Sequence, residues 1–273
     1  MTDFRQVADW GEYLKTRGWK TDYVKSKDGK KQLQVLVFKL WGWPLSMIKL
    51  QRNEIDPDFD DLKRLRRKYH ALQTVIEPLK ILNEENYIRA GFKKSKSPFL
   101  ATKTVVVDVT AEEKELWNRL SENAKRLIKK NAEMVVEDTD EKTFRREWKK
   151  YSKVWILSEK ELGNLMRSFG KRAHLCVIRN GEGFHSGILI LETRDVTNYF
   201  MTWTSDLGRK SGAHFRLVWE EILRAKRTGK KYFDFEGIYD PEFPIKNWKG
   251  FTEFKKKFGG AIVTHPGSFT KWF

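Results

Sequence analysis

The sequence predicts a mixed α/β protein built as two units in tandem, and three observations carry that expectation. Short runs of period-two alternation recur along the chain, bounded by Gly, Pro and Asn turns, and they are separated by longer stretches with apolar residues at helical spacing. Three strand-like runs follow one another directly at residues 173–179, 184–192 and 197–204, and lead into one long helical stretch, 213–227, ended by Gly229. The chain has 273 residues, of which 40% are hydrophobic. That supports a sizeable core, in one large domain or two intimate ones, since domains usually run to about 100–200 residues.

Taken in order, residues 10–19 read as a short helix ending at Gly18. Residues 32–40 alternate like a strand and 45–50 like its partner, with Trp41-Gly42-Trp43-Pro44 as the turn. Asp56-Pro57-Asp58 opens a helix whose apolar positions Phe59, Leu62, Leu65, Tyr69 and Leu72 keep helical spacing, while Lys63, Arg64, Arg66, Arg67 and Lys68 take the other face. Residues 74–81 and 104–109 follow as strands, with a basic loop, 92–98, between them. A second unit begins near Thr110, where Thr110 and Glu113 form a capping-box signature. The helix it opens is expected to bury Leu116, Trp117, Leu120, Leu127 and Ile128 and to expose Lys125, Arg126, Lys129 and Lys130. A short strand at 134–137 and helices at 141–155 and 158–169 precede the three strands, whose first hairpin turn is Asn180-Gly181-Glu182-Gly183. The long helix, a strand at 232–238, a helix at 248–258 stopped by Gly259-Gly260, and a partly extended tail, 261–273, complete the chain. The second unit thus reads β-α-α-β-β-β-α-β-α-β, the plan of the acetyltransferase-like (GNAT) fold. The expected class is α/β (α+β) with two GNAT domains in tandem: 1–109, with 261–273 returning to it, and 110–260.

Charge narrows the function. There are 54 Lys and Arg against 37 Asp and Glu, a net +17. Such a field attracts polyanions: nucleic acid, anionic lipid or diphosphate ligands; a basic surface used only for solubility is the plainer alternative. Aromatic residues make up 14% of the chain, including 11 Trp, which serves cores as well as stacking on bases. The one cysteine, Cys176, excludes an internal disulfide and a cysteine zinc cluster, and its apolar surroundings in 174–178 read as a buried thiol. The five His form no HExxH and no pair at ligand spacing, so no metal is expected. The N-terminus has no apolar signal core, and the longest apolar stretch, 33–48, is interrupted by Lys39 and Pro44 and falls short of the about 20 residues a bilayer needs. The expected location is cytoplasmic, with membrane contact peripheral, at the inner face.

Three segments carry candidate chemistry. Gly208-Arg209-Lys210-Ser211-Gly212-Ala213 precedes the long helix, and a glycine-bearing loop at a helix N-terminus is a natural anion site. His214 follows at a position where a side chain would crowd a diphosphate lying on the backbone. A plain helix start with basic residues outside is the alternative. In the strand 232–238, Asp234 and Glu236 share one face and Phe233 and Phe235 the other. Two carboxylates on a face suit orienting an amine or acting as a base; pairing with the chain's many cations fits equally. In 250–260, Phe251, Phe254 and Phe258 share a helical face, and Lys255, Lys256 and Lys257 supply charge for phosphates or a developing oxyanion. As pattern alone this is also an ordinary amphipathic helix.

Together these segments resemble the FemABX peptidyltransferases, in several places and in the right order. The run from Ser121-Glu122-Asn123-Ala124-Lys125-Arg126 to Lys129-Lys130-Asn131 is similar to that family's basic helix. Leu217-Val218-Trp219-Glu220 through Ala225-Lys226 and Gly229 to Tyr232-Phe233-Asp234-Phe235-Glu236-Gly237-Ile238 resembles its long helix and following strand. Gly250 to Gly260 resembles its "G-x-x-x-F-K-x-x-F-G-G" segment, and Phe4-Arg5-Gln6 with Trp10-Gly11 its "F-x-Q-x-x-x-W-G" opening. The match covers most of the chain and is densest from about residue 115 to 260. Departures are Glu236 where the family usually has Gly, Lys49-Leu50-Gln51-Arg52-Asn53 in place of a "P-R-G-P" turn, and the absence of the long helical hairpin some members carry.

The resemblance implies an aminoacyltransferase that moves an amino acid from aminoacyl-tRNA, its co-substrate, to the stem peptide of a peptidoglycan precursor, UDP-MurNAc-pentapeptide or lipid II. It implies no cofactor, no metal and a monomer. By match with the family's Phe-Lys pair, Lys255 would hold the acceptor end of tRNA or the oxyanion, with Phe254 beside it. Arg209 would meet the precursor's diphosphate, Lys210, Glu236 and Arg52 would contact substrate, and Asp234 would orient the amine. The alternatives are a coenzyme-A-dependent N-acyltransferase on the same fold and a non-enzymatic RNA-binding protein.

Overall fold

The computed structural model describes residues 1–40, 44–81, 83–152, 155–181 and 183–273. The expected turn at Trp41-Gly42-Trp43, and Glu182 of the first hairpin turn, lie outside the described residues. In chain order the elements are α1 (Ala8–Lys15), β1 (Trp19–Lys25), β2 (Gln32–Lys39), β3 (Ser46–Gln51), α2 (Phe59–Tyr69), β4 (Ala71–Glu77), α3 (Glu84–Arg89), β5 (Lys93–Lys94) and β6 (Lys103–Asp108). Then come α4 (Glu113–Arg119), α5 (Glu122–Lys130), β7 (Val135–Asp138), α6 (Glu141–Tyr151), α7 (Glu159–Phe169), β8 (Ala173–Asn180), β9 (Gly183–Glu192) and β10 (Val196–Thr204). The chain closes with α8 (Asp206–Ser211), α9 (Ala213–Arg227), β11 (Tyr232–Gly237), α10 (Lys249–Lys256), β12 (Ala261–Thr264) and β13 (Phe269–Trp272).

The chain divides into two compact units. Unit one is Met1–Lys103, Tyr239–Lys246 and Thr264–Phe273; unit two is Thr104–Ile238 and Asn247–Val263. The first sheet has the order β1-β2-β3-β4-β13-β5 and the second β12-β6-β11-β10-β9-β8-β7. Strand β6, placed by sequence in the first domain, belongs to the second sheet, and so does β12, placed by sequence in the returning tail. The two sheets share a plan. Each has a single parallel pair among the registers described: β3 with β4, joined through α2, and β10 with β11, joined through α8 and α9.

In unit one the core gathers Val35 and Val37 of β2, Ile48 and Leu50 of β3, Leu62 and Leu65 of α2, and Phe269 of β13. The opening segment is sewn to the sheet by side chains. Gln6 Nε2 donates to the Gln51 and Gln34 carbonyls at 2.5 and 3.1 Å, and Gln34 Nε2 donates to those of Arg5 and Val7. A Cβ on Gly11 would lie 2.5 Å from Gln34 Oε1, so the motif glycine lets α1 approach the strand. In unit two α9 lays a buried stripe, His214, Leu217, Val218, Glu221, Ile222 and Ala225, over the sheet at the helical period.

The structure corrects several sequence readings. The helix expected across 10–19 ends at Lys15, and Trp19 begins β1, an edge strand whose charged residues hide its alternation. Helix α3, capped by Asn83, was not expected, and the basic loop 92–98 contributes β5. No capping box forms at Thr110. Its N–H and hydroxyl both donate to Asp108 Oδ1, and the single expected helix breaks into α4 and α5, the second capped by Ser121. The capping box stands instead at Ser158 and Glu161, on α7.

Candidate functional site

Strands β10 and β11 pair in parallel only from Val196–Asn198 with Tyr232–Asp234. Both then depart from regular register, β10 between Tyr199 and Met201 and β11 between Asp234 and Gly237. The backbone of β11 reaches this by placing Glu236 at φ +59°, a left-handed conformation that costs an L side chain about 1–2 kcal/mol. Glycine adopts that φ freely. The expectation that Asp234 and Glu236 share a strand face therefore fails: the turn in the backbone intervenes.

Asp234 is 5% exposed. Its Oδ1 accepts from the Thr104 hydroxyl and, at 2.7 Å, from the Glu236 N–H. Thr104 Oγ1 also lies 2.8 Å from the Glu236 carbonyl. Asp234 and Thr104 thus fix the turn that shapes this end of β11. Lys255 comes in from α10, and its Nζ donates to the Gly237 carbonyl at 2.7 Å. It lies 5.0 Å from the Phe251 ring centre and 5.5 Å from that of Tyr199. Burial lowers its pKa to about 8, against the Glu236 and Asp234 carboxylates, which favour the ammonium. Lys255 is 7% exposed, where the pattern of 250–260 taken alone also allowed a solvated lysine face. The phenylalanines differ as well: Phe258 is buried, Phe254 half-buried and Phe251 exposed at 38%. Gly259 and Gly260 let α10 close on its neighbours, since a Cβ would meet the Arg119 carbonyl at 2.4 Å and Val105 Cγ1 at 2.7 Å.

A second polar group adjoins Lys255. His214 turns inward, its Nδ1 2.7 Å from Ser186 Oγ and its Nε2 2.6 Å from the Tyr199 hydroxyl. Burial drives its pKa down to about 3, so the imidazole is neutral at physiological pH, and burial pushes the Tyr199 phenol up. Phe254 stands against His214 with ring centres 5.2 Å apart. The sequence signalled neither Tyr199 nor Ser186, and weighed His214 only as an obstruction to a diphosphate.

The glycine-bearing segment is not a loop. Arg209 and Lys210 sit exposed in the last turn of α8, with Arg209 2.9 Å from Asp206. The N–H groups of Gly208, Arg209, Gly212 and Ala213 already donate to Ser205 Oγ, the Ser205 and Gly208 carbonyls and Ser211 Oγ. They make no anion cradle. The glycines serve close packing instead: a Cβ on Gly208 would lie 2.0 Å from the His185 carbonyl oxygen. Arg52 belongs to unit one. It is buried at φ +53°, donates to the Ala101 carbonyl at 2.5 Å and lies 3.8 Å from Asp3. The structure therefore gathers Lys255, Asp234, Glu236 and Phe254 at the end of β11, and places Arg209, Lys210 and Arg52 elsewhere.

No family model matches the sequence, and no curated protein matches it. Solved structures do. FemX superposes with a TM-score of 0.84 at 15% identity, over 99% of this chain and 92% of that one. A tandem GNAT protein from the clavulanic acid biosynthesis pathway gives 0.57 at 10% identity, over 93% and 83%. L-PGS from Bacillus licheniformis gives 0.56 at 12% identity, over 99% and 92%. The chain accordingly has a FemX-like fold of two GNAT-like halves.

Proposed function

We propose that this protein is an aminoacyltransferase that takes an amino acid from aminoacyl-tRNA and joins it to an amine of the stem peptide of a peptidoglycan precursor, UDP-linked or lipid-linked. The observation that carries the reading is Lys255: a buried cation, its pKa brought to about 8, fixed at the end of a parallel strand pair that has come apart, in a FemX-like fold. In the reaction the amine nitrogen attacks the ester carbonyl, the carbon–oxygen ester bond breaks, and the proton leaves with the tRNA hydroxyl. An ammonium has three donors and Gly237 takes one, so Lys255 keeps two for the developing oxyanion. Asp234 acts as a positioning residue that holds the 234–237 turn. Tyr199 and neutral His214 line the same region without adding charge. Arg209 and Lys210 meet precursor phosphates from an exposed helix, and the +17 field gathers tRNA and brings the protein to anionic membrane surfaces. Among the described residues no helix is long and apolar enough to cross a membrane.

The test is incubation with a mixed pool of aminoacyl-tRNAs and UDP- or lipid-linked muramyl pentapeptides, read by mass spectrometry. A precursor heavier by an amino-acid residue, absent with uncharged tRNA, is expected. Acyl transfer from acyl-coenzyme A with none from aminoacyl-tRNA would replace this reading; the absence of an N–H cradle on α8 weighs against that outcome.

A further inference from the structure

Unit one contains a cavity of about 290 Å³ whose lining has no part in the chemistry above. It lies among α2, β4, the residues after α3, and β13, at the small end of ligand pockets, which run from about 300 Å³. Phe59 and Phe92 supply apolar wall, and Lys63, Arg66 and Lys271 supply positive charge. Arg89 is also there but pairs with Glu85 at 2.9 Å, and Asp60 is the only carboxylate among the lining residues.

Two residues of the lining carry a buried donor that meets no acceptor among the described residues: the Thr74 hydroxyl, in a residue 1% exposed, and Arg66 Nε. Thr74 stands on β4 two residues before Ile76 of the core, on the sheet face that α2 covers, so its position follows from strand period. The Arg66 guanidinium rests 3.8 Å from the Phe273 ring centre, and Lys271 gives one donor to the Ala90 carbonyl. Buried polar groups are nearly always satisfied, and both unmet donors belong to residues that line this one positively charged cavity.

We propose that this cavity is a second ligand site, for a small phosphate monoester with an apolar or aromatic body. The phosphate takes Thr74 Oγ1 and Arg66 Nε, with Lys63 and Lys271 adding charge, and the body lies against Phe59 and Phe92. The site rests on unit one alone and not on the transfer reading.

The test is calorimetric titration of the full chain with phenyl phosphate, adenosine 5′-monophosphate and inorganic phosphate, and with phosphatidic acid vesicles as a separate arm. Saturable binding of a soluble ester is expected, at least about tenfold tighter than inorganic phosphate. Arg66→Gln should weaken it by about tenfold and Thr74→Val by about threefold, while Lys160→Ala, an equal loss of charge at an exposed position of α7, leaves it within about twofold. Thr74→Val removes the unmet hydroxyl at nearly constant shape, so its fold, checked by thermal melting, survives even where Arg66→Gln is unstable. No saturable binding of either ester, unchanged affinity in both variants, inorganic phosphate as tight as the esters, or binding to vesicles alone would each overturn the proposal.

Discussion

The two units carry out one strand plan with opposite outcomes at the parallel pair. In unit one β3 and β4 pair along the whole of β3, with one register shift between Ser46 and Met47 and unbroken register from Met47↔Gln73 to Gln51↔Glu77. In unit two β10 and β11 hold together only to Asn198↔Asp234. Their buried charges differ in the same sense. Beyond β3 lies an ion-paired group, Asp3 bound to Arg5 at 2.9 and 3.0 Å and 3.8 Å from Arg52. Beyond the break in unit two lies Lys255, given a carbonyl and two nearby carboxylates and held at a depressed pKa. A zipped strand pair leaves its backbone groups satisfied and its arginines tied directly to a carboxylate, which makes scaffold. An opened pair leaves room and a buried ammonium held by a carbonyl, which makes a candidate site.

The largest effect that tests this contrast is on transfer. Lys255→Met keeps the buried stem and removes the charge, and should lower the transfer rate by about a hundredfold or more, with no loss of melting temperature. A wild-type rate would mean that the two units are equally inert at this position. Alanine is the poorer probe, because Lys255 is buried and truncation leaves a cavity. In unit one, Asp3→Ala strands Arg5 and Arg52 without their carboxylate and should reduce stability by about 3–5 kcal/mol in urea unfolding, the usual range for a broken buried pair. A loss below about 1 kcal/mol would show that the group is not the scaffold it resembles.

The pH dependence sharpens the comparison further. If the ammonium acts, the rate advantage of the wild type over Lys255→Met, a ratio in which titration of the attacking amine and ester hydrolysis cancel, should hold below about pH 8 and shrink about tenfold per unit above it; an advantage that grows through that range would make Lys255 a base instead. The linked stability runs the other way. The folded pKa of about 8 lies below the ordinary 10.5, so between these values the unfolded chain binds more protons and stability from this group rises with pH. Lys255→Met should flatten that rise. Glu236→Gly relieves the left-handed backbone and should add about 1 kcal/mol. It also removes a carboxylate that favours the ammonium, moving the rate limb to lower pH. The smallest effect belongs to Lys257→Ala, half-exposed and 5.8 Å from the Phe215 ring, with a rate within about twofold of wild type.

What the sequence determined by itself is the part written in period and charge. The runs at 173–204, the stripe of α9 and the +17 balance were legible because side-chain alternation, the 3.6-residue repeat and net charge are local properties. The short motifs were legible as motifs but not as packing: Gly11, Gly208 and Gly260 are explained by distances of 2.0–2.7 Å from a would-be Cβ to Gln34, His185 and Val105, none a chain neighbour. Tertiary structure alone decided that His214 points inward to Ser186 and Tyr199, whereas the helix at 206–211 has a local cause, the Ser205 side chain capping the Gly208 N–H. It alone decided that β6 joins the second sheet and that Asp234 and Glu236 part company at a left-handed turn. Above all it decided the setting of Lys255. Sequence singled out Lys255 by its place after Phe254 in the family-like segment, but what surrounds its ammonium depends on the rest of the fold, which places the Gly237 carbonyl, Tyr199, Phe251 and the two carboxylates of β11 around it.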